Sequence, residues 1–204
     1  MKRRNAATLG SLSPDQAELL RGFERLLLQR ALPAGFVSES DRERLFERHV
    51  LDAIRAVGCL SSGDRDLIDL GSGAGLPGVP IAIARPDVRV RLVEASSRRA
   101  AFLEMVVVEL GLPNVVVEVG RVEDSASTAD VCTARAFAAA GKAWALARRV
   151  LRPGGRLLYF AGRSWSEQGG ASEGLEEAVV TVCEQGGFAG DGPIVIIREV
   201  PPAR

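Results

Sequence analysis

The residues from 69 to 75 read Asp-Leu-Gly-Ser-Gly-Ala-Gly and follow the apolar pair Leu67 and Ile68. A strand that ends in a glycine-rich turn lets the backbone approach a ligand where any Cβ would clash. The helix that follows such a turn offers unpaired N–H groups at its start. We therefore predict that Gly71, Gly73 and Gly75 bind a nucleoside, and that Asp69 accepts from a ligand ammonium, directly or through water. The alternative for Asp69 is a turn or cap acid.

Acidic residues at the ends of the next two predicted strands extend this site. Glu94 ends the second strand, about 20 residues after the glycines, where a carboxylate normally binds a ribose diol. Glu123 and Asp124 follow the third strand, where the adenine edge would lie. Either acid accepts from the exocyclic amine, or Val122 and Glu123 pack and bond through the backbone. A solvated loop acid is the alternative for this last pair.

The same glycines fit two classes of nucleotide site. The turn from 69 to 75 resembles the nucleoside-binding turn of class I methyltransferases, which implies an S-adenosylmethionine site. The run Gly73-Ala-Gly75-Leu-Pro-Gly78 also fits Gly-x-Gly-x-x-Gly, the dinucleotide fingerprint of an NAD-dependent oxidoreductase. Nucleotide dehydrogenases usually carry this unit near the chain start and add a substrate domain. The position of the turn therefore favours the methyl donor over the dinucleotide and over a turn that binds nothing.

Arg135 is the candidate residue for contact with the acceptor. It ends the fourth predicted strand, and ligands of open α/β sheets bind beyond the carboxyl ends of the strands. A guanidinium there can bind a phosphate or carboxylate with paired hydrogen bonds, and a structural ion pair is the alternative. His49 is the only histidine, and composition alone favours a helix residue near the core. No residue set has metal-ligand spacing, so we expect no metal.

Strands and helices alternate from residue 67 onward, which predicts an α/β doubly wound, Rossmann-like sheet of about seven strands. The last two strands lack a helical crossover, so we expect an antiparallel hairpin at one edge. We assign residues 1–60 to an N-terminal helical extension, with capping boxes at Ser13 and Ser40, and residues 61–204 to one catalytic domain. The predicted elements are strands at 67–71, 90–94, 115–119, 131–134, 157–161, 179–183 and 194–200, and helices at 13–30, 40–57, 77–84, 97–110, 138–150 and 172–177.

Composition indicates an ordinary soluble globular protein whose surface is not strongly basic. The chain has 204 residues, 47% of them hydrophobic, and a formal net charge of zero. No secretion signal and no apolar run of membrane-spanning length occur, so we expect a cytoplasmic protein without membrane contact. We also expect a monomer. Cys59, Cys132 and Cys183 are odd in number and widely spaced. We expect all three to be buried, reduced hydrophobes.

Several motifs together resemble the bacterial small-subunit (16S) ribosomal RNA guanine-N7 methyltransferases, the glucose-inhibited division protein B family. The resemblance covers roughly residues 48–162, and the extension Gly-Leu-Pro-Gly-Val-Pro is more specific than the glycines alone. The motifs are Arg48-His-Val-Leu-Asp52, the run from Asp69 to Pro86, Arg98-Arg-Ala-Ala-Phe-Leu103, Gly120-Arg-Val-Glu123 and Ala134-Arg-Ala-Phe137.

The resemblance implies a class I S-adenosylmethionine-dependent enzyme that methylates N7 of a guanine in 16S ribosomal RNA or the small ribosomal subunit. It places Arg48 and His49 at the catalytic mouth beside Arg135. The residues that would contact the methyl donor are Gly71, Leu76, Val122, Glu123 and Arg135. Guanine N7 carries a free lone pair, so the reaction needs no base, and the absence of an obvious base in the sequence agrees with it.

Three departures from the family pattern fall on the substrate side. Gly35-Phe-Val-Ser38 stands where the family has an Asn-Leu-Thr-like segment, an upstream tryptophan-asparagine element is missing, and Ala161-Gly162 replaces a Lys-Gly pair. Arg163 would replace the lysine charge; the alternative is a divergent methyltransferase with another acceptor. We expect RNA phosphates to be bound by arginines around the mouth, namely Arg48, Arg135, Arg163, Arg42 and Arg44.

Overall fold

The computed structural model describes residues 12–162, 165, 173–183 and 192–201. Its centre is a seven-stranded sheet with the order β3-β2-β1-β4-β5-β7-β6. β1 to β5 pair in parallel, whereas β7 runs antiparallel to both β5 and β6. The prediction of a doubly wound sheet that ends in an antiparallel hairpin is therefore confirmed. The strands are β1 (Asp66–Leu70), β2 (Arg89–Glu94), β3 (Val115–Val119), β4 (Ala129–Arg135), β5 (Leu151–Phe160), β6 (Ala178–Val182) and β7 (Ile194–Glu199).

The segments that follow β2 and β3 begin at the carboxyl edge of the sheet. The Ser96 hydroxyl accepts from the Arg99 N–H at the start of the helix after β2, and Gly111 ends that helix in the left-handed conformation. A short 3₁₀ turn, Val122–Asp124, follows β3. The crossover helices are α3 (Gly78–Ala84), α4 (Ser97–Leu110) and α5 (Ala140–Val150).

The first N-terminal helix forms as its sequence predicts. α1 (Pro14–Leu26) begins with a complete capping box between Ser13 and Gln16, and it continues as a π-helical turn, Leu27–Ala31. The Gln16 amide also donates to the carbonyls of Ile83 and Ala84, 2.9 and 3.2 Å away. These bonds fix the start of α1 against the end of α3.

The second N-terminal segment is not the single helix that the pattern predicts. It consists of a 3₁₀ helix (Glu39–Arg44), a π-helical turn (Phe46–Val50), α2 (Leu51–Ile54) and a second 3₁₀ helix (Arg55–Cys59). The predicted capping box at Ser40 is wrong: the segment starts after Ser38, and no side chain caps it. The Asp41 carboxylate instead binds Arg48 and His49. These bonds connect the first 3₁₀ helix to the π-helical turn that follows it.

The N-terminal helices and one face of the sheet form a common core. Phe23 from α1 and Val50 and Ile54 from the second segment pack in one cluster with Leu67 and Leu92 of the sheet. The opposite face is covered by α5 through Trp144 and its neighbours. The division at residue 60 stays a prediction, since burial joins the two parts rather than separating them.

Two predictions in the last third of the chain are wrong. The predicted strand at 157–161 begins too late, because Leu151 already pairs with Ala129 and β5 resumes after a bulge. Residues 173–177 form turns rather than a helix. The segment passes close to α5, where Gly141 leaves room for it: a Cβ on Gly141 would lie 1.8 Å from the Glu173 carbonyl oxygen. Ser172, Gly169, Gly170 and Arg163 lie outside the described residues.

The cysteine prediction is wrong for two of the three residues. Cys59 and Cys183 form a disulfide with a Cα–Cα separation of 6.4 Å, and only Cys132 is a buried free thiol. The fold explains the pairing: the second helical segment ends beside the end of β6, although the two cysteines are 124 residues apart in the chain. No helix in the described part of the chain is long and apolar enough to cross a membrane.

Candidate functional site

The glycine turn lies between β1 and α3 and is shaped by a phenylalanine from the loop after β4. Gly71 has a φ of +65°, and a Cβ built there would lie 2.3 Å from Phe137 Cδ2. Gly73 also has a positive φ, but its Cβ would meet only the Gly71 carbonyl oxygen, at 3.9 Å. Gly71 thus admits the Phe137 ring, and Gly73 leaves open space above the turn.

Gly75 and Gly78 serve packing rather than ligand approach. A Cβ on Gly75 would contact Val79 at 2.8 Å, and one on Gly78 would contact Leu92 at 2.3 Å. Both glycines therefore let α3 sit close to its neighbours. The predicted ligand contact of Gly75 finds no support in this geometry, because Gly75 faces the core.

Asp69 is buried beneath the turn with a relative exposure of 1%. One carboxylate oxygen accepts from the Thr133 hydroxyl at 2.7 Å, and the other accepts from the Gly78 N–H at 3.2 Å. Burial raises the pKa of Asp69 to about 6, although these hydrogen bonds oppose the shift. The geometry supports the alternative that the sequence left open, an acid that fixes the turn to β4 and α3.

Glu94 ends β2 and faces the turn from the side. Its Oε2 accepts from the Gly73 N–H and its Oε1 from the Ser96 N–H, both at 2.9 Å. The residue is 5% exposed, yet it lines a cavity of about 340 Å³. A buried carboxylate beside open space is the acceptor that a ribose diol needs.

This first cavity contains the predicted adenine contacts. Val122 is buried in its wall, and Glu123 lines it at the 3₁₀ turn after β3. The backbone N–H of Glu123 and then the nearby Arg121 hold the pKa of the Glu123 carboxyl below its usual value. Three cations also line the cavity, namely Arg99, Arg121 and Lys142.

A second cavity of about 310 Å³ opens towards the N-terminal segment. Gly73, Leu76, His49 and Arg135 line it, so it joins the glycine turn to the predicted catalytic residues. The two cavities have three lining residues in common, Gly71, Arg99 and Ala136. An elongated ligand can therefore extend from Glu94, past the glycine turn, to the Arg135 side.

The loop after β4 holds strained backbone where the cavities meet. Ala136 has a φ of +50°, a conformation that costs an L-residue about 1–2 kcal/mol. This turn directs Phe137 back over Gly71. Strain of this kind concentrates at functional sites.

Arg135 joins the end of β4 to the second N-terminal segment. Its guanidinium donates to the backbone carbonyls of Arg48 and His49, at 3.2 and 3.3 Å, and pairs with Asp52 at 3.3 Å. It also donates to His49 Nδ1 at 2.9 Å. The structural ion pair that the sequence left as an alternative is therefore present, and the guanidinium still lines the second cavity.

His49 and Arg48 are linked through Asp41. His49 Nε2 lies 2.8 Å from Asp41 Oδ2, and Arg48 Nη1 lies 2.6 Å from Asp41 Oδ1. Burial, and then the charge of Arg135, lower the pKa of His49 below its usual value. A pKa lowered in this way favours the neutral ring at pH 7. Arg48 itself is half exposed and does not line the second cavity.

Four residues of the site were not predicted from the sequence. Asp52 and Phe137 lie in motifs that also contain predicted site residues, and this proximity was the signal that could have identified them. Asp41 was interpreted as part of a helix cap, and Arg99 gave no signal beyond its place in the Arg-Arg-Ala-Ala motif.

The other arginines expected to bind RNA differ in their surroundings. Arg42 is exposed and paired with Glu39, and Arg44 is exposed on the same 3₁₀ helix. Arg163 lies outside the described residues. Among the residues that the structure describes, no group of three or more His, Cys, Asp or Glu side chains is placed to bind a metal ion.

The fold and the site define a class I S-adenosylmethionine-dependent methyltransferase. A variant of MtNAS solved with S-adenosylmethionine has the same fold, with a TM-score of 0.61 and 18% identity, over 90% of this chain and 73% of that one. The family model GidB, rRNA small subunit methyltransferase G, matches residues 16–180. The chain belongs to this family.

Curated relatives agree with the family match. "Ribosomal RNA small subunit methyltransferase G" of Acidothermus cellulolyticus is 43% identical over 163 residues, 79% of this chain and 73% of that protein. The protein of the same name from Mycobacterium leprae is 40% identical over 169 residues, 78% of this chain and 68% of that protein. The S-adenosylmethionine cofactor is thus confirmed, and the dinucleotide alternative is not.

Proposed function

We propose that this enzyme transfers a methyl group from S-adenosylmethionine to N7 of a guanine in 16S ribosomal RNA, within the small ribosomal subunit. The family supplies the class of acceptor. The observation that supports N7 as the methylated atom is that the acidic and imidazole side chains near the second cavity are already hydrogen-bonded or buried. Asp41 and both ring nitrogens of His49 are engaged in hydrogen bonds, and Asp69 is buried beneath the turn.

An acceptor that must first lose a proton needs a base with a free lone pair. Within the described residues, neither nitrogen of the His49 ring at the second cavity has a free lone pair, and both oxygens of Asp41 already accept hydrogen bonds from His49 and Arg48. Guanine N7 has no proton to lose, so its methylation needs positioning alone, an effect worth up to ~7–11 kcal/mol. When bound, S-adenosylmethionine supplies a sulfonium methyl group that N7 attacks in line, leaving S-adenosylhomocysteine and a 7-methylguanosine cation.

The described residues fit this cofactor. Glu94 would accept from the ribose hydroxyls, and the backbone of Gly71, Gly73 and Leu76 would line the path towards the second cavity. Val122 and Glu123 would contact the adenine. In this proposal Asp69 and Gly75 position the turn without touching the cofactor.

Arg135 stands at the acceptor end, with His49 and Arg48 behind it. The cations of the first cavity and the exposed Arg48 would bind RNA phosphates around the opening. We further propose a monomer that acts in the cytoplasm, without a metal ion.

The test is a map of 7-methylguanosine in ribosomal RNA from cells with and without this gene. We expect one modified guanine of the small-subunit RNA to disappear on deletion. Re-expression of the wild type restores it, and re-expression of a Glu94→Ala variant does not. An unchanged map, or the loss of a methyl group on another atom or RNA, contradicts the proposal and indicates a divergent acceptor.

A further inference from the structure

Three side chains form a continuous hydrogen-bonded chain at the second cavity. Asp41 Oδ2 lies 2.8 Å from His49 Nε2, and His49 Nδ1 lies 2.9 Å from Arg135 Nη2. Asp41 and His49 belong to the N-terminal segment, whereas Arg135 ends β4. All three line the second cavity.

The donor and acceptor properties of Arg135 and Asp41 determine which nitrogen of His49 carries the ring proton. A guanidinium donates hydrogen bonds and cannot accept them, so His49 Nδ1 must present its lone pair to Arg135. The ring proton then sits on Nε2 and is donated to Asp41. The tautomer of His49 is set by its two neighbours, and both nitrogens are used.

We propose that Asp41 is a positioning residue for methyl transfer, because it holds His49 in the Nε2–H tautomer and so keeps the Arg135 guanidinium at the acceptor end of the site. This inference rests on the proposed function. Asp41 touches neither cofactor nor acceptor in it; the residue acts through His49.

The burial and the second bond of Asp41 support this role. Asp41 is 8% exposed although its segment lies at the surface, and its other oxygen binds Arg48. The charged groups that face His49 are Asp41 and Arg48 from its own segment and Arg135 from β4. Without Asp41, Nε2 of His49 would lose its acceptor, and the charges acting on the ring would be those of Arg135 and Arg48.

The first experiment observes the ring directly. The chain contains one histidine, so a sample with ¹⁵N-labelled histidine gives the signals of a single imidazole by NMR. We expect the wild type to show a proton on Nε2 and none on Nδ1 at pH 7. A proton on Nδ1, or an even mixture of tautomers, overturns the proposal without any assay of activity.

The second experiment compares Asp41→Ala with Asp41→Asn. We expect Asp41→Ala to lose the slowly exchanging Nε2 proton and to lower kcat about 10- to 100-fold, as for a lost hydrogen bond to a charged group. The dissociation constant for S-adenosylhomocysteine should stay within about twofold. The Asn oxygen still accepts from Nε2, so Asp41→Asn should keep the proton and have an intermediate kcat.

Asp87→Asn is the matched control, because Asp87 is bound by two nitrogens of Arg85 at the surface, before β2. It should have the wild-type kcat. A folded Asp41→Ala enzyme with wild-type kcat, or one that loses only thermal stability, overturns the positioning role. Failure of the proposed function is recognised separately, since the wild type would then not methylate small-subunit RNA although its NMR spectrum is as expected.

Discussion

Glu94→Ala is the substitution that separates the two roles of the acid at the end of β2. In the structure the carboxylate accepts from the N–H groups of Gly73 and Ser96 while it lines the first cavity. In the complex the same carboxylate would also accept from the ribose. The substitution removes all of these acceptors at once.

The two effects have different sizes. A hydrogen bond to a charged group contributes about 1.5–3 kcal/mol, so the affinity for S-adenosylhomocysteine should fall roughly 10- to 100-fold. The two backbone N–H groups lose their acceptors as well, but water in the cavity can reach them. We therefore expect the free energy of unfolding to fall by only about 1–2 kcal/mol.

Isothermal titration calorimetry with S-adenosylhomocysteine measures the first effect, and urea unfolding measures the second. Glu118→Ala is the control, because Glu118 lies on the neighbouring strand β3, pairs with Arg91 and lines neither cavity of the site. It should bind like the wild type. An affinity of Glu94→Ala within twofold of the wild type would refute the assignment of Glu94 to the ribose.

Three further predictions concern the turn, a buried acid and the disulfide. Gly71→Ala brings a Cβ 2.3 Å from Phe137 Cδ2 and puts alanine at a positive φ, so calorimetry should show at least about tenfold weaker cofactor binding; adding Phe137→Ala should recover part of it, and no recovery contradicts the steric reason. The folded-state pKa of Asp69, about 6, lies above the ordinary aspartate value of 3.8, so between these pH values the folded protein binds more protons than the unfolded chain. Wild-type stability should therefore fall relative to Asp69→Asn as pH rises from 4 to 6, by on the order of 2 kcal/mol in urea unfolding, and parallel curves would exclude this linkage. Reduction of the Cys59–Cys183 disulfide should lower the free energy of unfolding by about 2–4 kcal/mol. The melting temperature of the Cys59→Ser control should not respond to reductant. A wild-type melting temperature that is equally insensitive argues against the bond.

The parallel part of the fold was predictable because its signals are local. Each parallel strand is a short apolar run, and α4 has the bounds 97–110 that the sequence predicts, between Ser96 and Gly111. The second N-terminal segment was not predictable. Its irregular helix depends on Asp41 binding Arg48 and His49 seven and eight residues further on, and a capping pattern describes only neighbours three residues apart.

The cofactor side was more predictable than the acceptor side for a similar reason. Glu94 stands at a spacing that the βαβ unit imposes on any nucleotide site. The contacts of Arg135 depend on a segment more than 80 residues away in the chain, and only three-dimensional packing brings them together. The Cys59–Cys183 disulfide was missed because spacing says nothing about two ends that meet in space.

The assignment of guanine N7 as the methylated atom is tested by methyl transfer in vitro to a defined atom. Small ribosomal subunits or 16S RNA that lack the modification are incubated with the purified enzyme and S-adenosylmethionine, then treated with borohydride and aniline, which cleave RNA at 7-methylguanosine. We expect cleavage at a single guanine that depends on the enzyme and is absent with Glu94→Ala. Transfer of the methyl group without any such cleavage would contradict it.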